Sequence, residues 1–63
     1  MLGSFLRSNR GRAAAKEFVN GKRGIRSLIN ETQSERVRSE LYRLERLGVQ
    51  HARPIIKRAL RTA

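Results

Sequence analysis

Glu31 and Glu35 stand four residues apart. On one helix face that spacing brings two carboxylates together, where they can pass a proton or, with further ligands, help to hold a metal. The rest of such a centre does not assemble around them. The chain has no cysteine, and its one imidazole, His51, has no aspartate to orient it. Two acids near a helix start are better explained as solvated charges, because negative charge is favourable there. A chain of 63 residues is also short for walling off a pocket. The expectation is a non-catalytic protein without a metal site, a cofactor or a small-molecule substrate.

The cations offer a different chemistry. Fifteen Lys and Arg face five Glu, for a formal net charge of +10, and twelve of the fifteen are Arg. Arginine presents a planar fork that binds phosphate bidentately and stacks on bases. The charge is unevenly placed. Residues 1–26 carry seven cations against one acid, residues 27–49 carry four against four, and residues 50–63 carry four against none. Two basic ends therefore flank a balanced middle. The candidate nucleic-acid-binding residues are Arg7, Arg10, Arg12, Lys16, Lys22, Arg23 and Arg26 at one end, with Arg53, Lys57, Arg58 and Arg61 at the other. Such contacts supply affinity without choosing a sequence. Within Gly21-Lys22-Arg23-Gly24, small residues beside two cations would let backbone N–H groups approach a phosphate, although an ordinary basic turn fits equally well. The aromatics are only Phe5, Phe18 and Tyr42, and two of them look like core. That disfavours a platform for stacking single-stranded bases, so duplex DNA or structured RNA is the expected ligand.

The elements that must position these cations read as all-α. Two or three helices are expected: a long central amphipathic helix flanked by shorter basic ones, in a single small domain over 1–63. Ala13-Ala14-Ala15 favours a first helix over about 9–20, with Ala14, Ala15, Phe18 and Val19 inward and Leu2, Phe5 and Leu6 as an extension. Asn20-Gly21 ends it. Val37, Leu41 and Leu44 step by four and three, which is helical spacing, and Leu47-Gly48 supplies the stop. The favoured central helix runs unbroken from about 25 to 47, with Glu35–Arg38, Arg36–Glu40 and Glu40–Arg43 pairs along its surface. The alternative splits it, with Thr32 as N-cap and Glu35 reaching back in a capping box. Pro54 suits the first position of a third helix, with Ile55, Ile56, Ala59 and Leu60 on its apolar face.

The split version raises a helix-turn-helix, with Gln33, Ser34, Arg36 and Arg38 near the start of a recognition helix. It is the less favoured reading, because the turn is short and Glu31 and Glu35 repel phosphate. The leading expectation is a small basic protein that grips DNA or RNA by its phosphates. The alternative is a structural component of a virion, capsid or ribonucleoprotein particle, docking through the stripe 37, 41, 44, 47 and its basic ends, as a homodimer or in a larger assembly. A membrane partner is disfavoured by the missing tryptophan and the charge-balanced middle. No stretch approaches the roughly 20 apolar residues of a membrane span. The apolar opening from Met1 to Leu6 is cut off by Arg7 and Arg10, unlike a secretory signal. The expected location is intracellular, in cytoplasm or nucleoid, or inside a particle.

Overall fold

The computed structural model describes residues 2–63; Met1, the first residue of the apolar opening, lies outside the described residues. The all-α expectation holds, but the described residues form five helices, where two or three were expected: α1 (Leu2–Arg7), α2 (Asn9–Val19), α3 (Ile25–Glu31), α4 (Glu35–Leu47) and α5 (Val49–Thr62).

Ser8 makes the first junction. Its hydroxyl donates to the Phe5 carbonyl at 2.8 Å, closing α1, and accepts the Gly11 N–H at 3.1 Å as the N-cap of α2. The opening residues therefore form a helix of their own. Gly11 is buried where α1 crosses α2, and a Cβ at that position would overlap the Phe5 carbonyl oxygen and come within 2.9 Å of the Phe5 ring. A glycine that weakens a helix start by propensity is thus required here by close approach.

The end of α2 follows the Schellman pattern, with Gly21 at φ 78°. Gly21 N–H donates to the Phe18 carbonyl at 3.0 Å and Lys22 N–H to that of Glu17 at 2.8 Å.

The unbroken 25–47 helix is corrected: it breaks at Thr32-Gln33-Ser34. Ser34, not Thr32, is the N-cap of α4, its hydroxyl accepting Val37 N–H at 3.3 Å. Thr32 is buried, and its hydroxyl accepts Ser34 N–H at 3.2 Å. Serine and threonine hydroxyls offer the backbone such local partners, which is why they divide the helix here. Replacing Ser34 with Ala should lower the unfolding free energy by about 1 kcal/mol, the usual worth of an N-cap, readable as a lower urea midpoint.

Gly48, at φ 96°, ends α4 and begins α5. The last helix therefore starts at Val49, five residues before Pro54, and Pro54 lies inside it. The only helical bond the proline removes is the one to the carbonyl of Gln50, an exposed residue that water can reach. The earlier start changes the inward face. Ala52 and Ile56 are buried, whereas Ile55, one residue and about 100° round the helix, is 42% exposed.

Buried side chains from all five helices form one apolar cluster, from Phe5 and Leu6 on α1 to Ile56 on α5. Phe18, Leu28 and Leu41 are fully buried near its middle. Helix α5 packs against α1, α2 and α4, and α3 packs against α2 and α4. The radius of gyration is 10.0 Å, close to the roughly 11 Å of a folded chain this long. No helix among the described residues is long and apolar enough to cross a membrane.

Candidate nucleic-acid interface

The acids decide which cations have a partner within the fold, although Arg10 and Arg26 stay exposed in their pairs. Glu31, the last residue of α3, receives Arg10 Nε at 3.0 Å and Arg23 Nη1 at 3.6 Å. Arg23 also reaches Glu17 at 2.8 Å. One chain of charges thus clamps α2, the 21–24 turn and α3 together. On the other side of α3, Arg26 Nε donates to Glu45 Oε2 at 2.7 Å, and its guanidinium lies 5.8 Å from the centre of the Tyr42 ring. Arg26 therefore ties α3 to α4. These pairs join different helices, whereas the expected Glu35–Arg38, Arg36–Glu40 and Glu40–Arg43 pairs are not formed among the described residues. Arg38 instead donates from Nη2 to the Thr32 carbonyl at 3.0 Å. Any such exposed ion pair contributes only about 0–1 kcal/mol.

Three nominated cations, Arg10, Arg23 and Arg26, are thus engaged within the fold. Of the two readings of Gly21-Lys22-Arg23-Gly24, the local geometry fits the ordinary turn. The N–H groups of Gly21 and Lys22 close the end of α2, and Arg23 is held by two acids. From that turn only the exposed Lys22 side chain is left to meet a ligand.

Apart from Lys22, the other nominated cations lie on α5 and on α1 and α2, which pack against it. Arg53, Lys57 and Arg61 recur every four residues and lie along one exposed stripe, while Lys57, Arg58 and Arg61 share a shallow depression with Pro54. Arg53 lies 5.9 Å from the centre of the buried Phe18 ring, so it caps the α2–α5 contact while its charge remains at the surface. The neighbouring helices α1 and α2 contribute Arg7, Arg12 and Lys16, of which Arg12 is half-buried. None of these helices carries an unpaired acid among the described residues: Glu17 is bound to Arg23, and α1 and α5 have no acid at all.

Helix α4 is different. Val37, Leu41 and Leu44 turn into the chain's own core, so of the stripe expected to serve a partner only Leu47 is exposed, at 53%. Arg36, Ser39, Arg43 and Arg46 are exposed and recur by three, four and three, which puts them on one face. Ser39, Tyr42, Arg43 and Arg46 line one shallow depression. The residues expected at the start of this helix are Gln33, Ser34, Arg36 and Arg38. Ser34 and Arg38 act in the turn, whereas Arg43, read from the sequence as a partner of Glu40, stands with Ser39 and Arg46 on the face that Arg36 begins. Glu31 and Glu35 do not pair, since Glu31 is taken by Arg10 and Arg23.

No protein-family model matches the chain, and neither a curated protein nor a solved structure matches it.

Proposed function

We propose that this protein binds nucleic acid mainly through phosphate contacts, as a non-catalytic polyanion-binding module. The observation that carries the reading is the division of charge. Three of the five acids lie in ion pairs that join parts of the fold. The remaining two, Glu35 and Glu40, both lie on α4. The surface of α5, α1 and α2 is thereby left without an unpaired acid among the described residues. Four stand on one helix at 53, 57, 58 and 61, with Arg7, Arg12 and Lys16 on the helices packed beside it. Phosphate neutralises this self-repulsion and releases condensed counterions as it does so.

The test is fluorescence anisotropy of a labelled duplex DNA and a labelled structured RNA at several salt concentrations. Binding should weaken linearly in log salt, with a slope of about −0.9 for each phosphate contacted. A slope near zero, or no binding at low salt, would remove the reading.

A further inference from the structure

We infer that α3, the 32–34 turn and α4 form a helix-turn-helix that presents the outer face of α4 to the major groove of duplex DNA. The inference rests on the nucleic-acid reading above and adds to it a ligand form and a means of choosing sequence.

A short helix, a three-residue turn and a longer helix packed on it are the chain order of such a unit. The turn is braced by its own side chains. Thr32 is 6% exposed, its hydroxyl accepts Ser34 N–H, and its carbonyl accepts Arg38 Nη2 at 3.0 Å. The two helices are joined again further along by Arg26 and Glu45 at 2.7 Å, with Tyr42 beneath the guanidinium. Helix α4 is therefore fixed by its inner face and one flank, and what it offers outward is Arg36, Ser39, Arg43 and Arg46, with Glu35 and the half-buried Glu40 beside them.

Those side chains suit base edges. Arginine donates two bonds to guanine O6 and N7, serine is tolerant, and Gln33 before the helix has the donor and acceptor that adenine matches. Glu35, exposed in the first turn, repels phosphate but can accept from the amino group of cytosine. The second acid that counted against this arrangement, Glu31, is neutralised by Arg10 and Arg23. The major groove of B-form DNA is about 12 Å wide and admits a helix. The deep, narrow groove of A-form RNA does not admit these side chains. The cations of α5, which begins one residue after α4 and packs against it, are the nearest source in the chain of the phosphate contacts that such a reading helix needs.

The experiment is selection by the full chain from a pool of random-sequence duplex DNA at moderate salt, with structured RNA in a parallel binding assay. A short enriched motif is expected, bound roughly tenfold or more tighter than a scrambled duplex. Arg43→Ala should remove about tenfold of affinity for the selected duplex, relax the preference at one position, and leave scrambled duplex unchanged. Arg43 is exposed and unpaired among the described residues, so the variant should keep its helical circular dichroism. Uniform retention of all duplexes would overturn the helix-turn-helix inference while leaving phosphate binding intact. Retention of RNA without duplex DNA would overturn it equally. No retention of either at low salt would remove both readings.

Discussion

Replacing Gly11 with alanine is expected to destabilise the protein by about 2 kcal/mol or more, which for a chain of this size lowers the melting temperature by roughly 10 °C. Helix propensity alone gives the opposite sign, because alanine in a helix interior is better than glycine by about 1 kcal/mol. The structure decides between them. The new methyl group would overlap the Phe5 carbonyl, a backbone atom that cannot swing aside as a flexible side chain would. Relief requires α1 to move off α2, which opens the contacts of Phe5 and Leu6 with the core. A domain of this length has only about 3–9 kcal/mol of stability to lose. Thermal unfolding followed by circular dichroism measures the change, and an unchanged or raised melting temperature would mean that α1 is not docked as described.

The second large effect is on binding. Converting Lys57, Arg58 and Arg61 together to alanine should flatten the slope of log affinity against log salt by about 2.7, if each cation meets one phosphate. The affinity lost between about 50 and about 200 mM salt would then shrink by roughly 1.6 decades. Alanine is the best helix former, so α5 should persist and the change should report charge rather than unfolding. The informative control is Arg10→Ala with Arg23→Ala. These remove two cations from the same sequence, but both are bound to acids in the fold. The control should therefore change the slope less than the α5 substitutions, per cation removed. Equal effects per cation would mean that only net charge matters and that no surface is preferred.

The helical class, the core positions Val37, Leu41 and Leu44, and the glycine stops at 21 and 48 could all be read from the sequence, because each rests on a local rule: spacing, or a conformation that glycine tolerates. The break at 32–34 was harder. A threonine, a glutamine and a serine in an otherwise helical run can be carried by a helix or can divide it, and the burial of Thr32 by tertiary packing settles the matter. The start of α5 was misplaced because Pro54 resembles a first-turn proline, while the stronger signal was Gly48 followed by Ala52, a residue small enough to sit fully buried. At the interface, the basic helix α5 was legible from its one-sided charge. The withdrawal of Arg10, Arg23 and Arg26 was not. Each is bound to an acid on another element or turn, and a list of charges along the chain does not show which will meet in space. The same blindness hid the outer face of α4, since its arginines looked balanced by acids, one of which, Glu45, is bound to α3.

Tyr42 has a practical use that follows from its place. It is the only tyrosine, and the chain has no tryptophan, so emission excited at the indole and phenol bands arises from this one ring. The ring lies beneath Arg26 at the seam of α3 and α4 and is 39% exposed on the side away from the core. Loosening of that seam, or a ligand settling on α4, changes the surroundings of the same fluorophore. The chain thus carries a built-in optical probe at the junction of its two middle helices, and label-free titrations can follow that junction without any substitution.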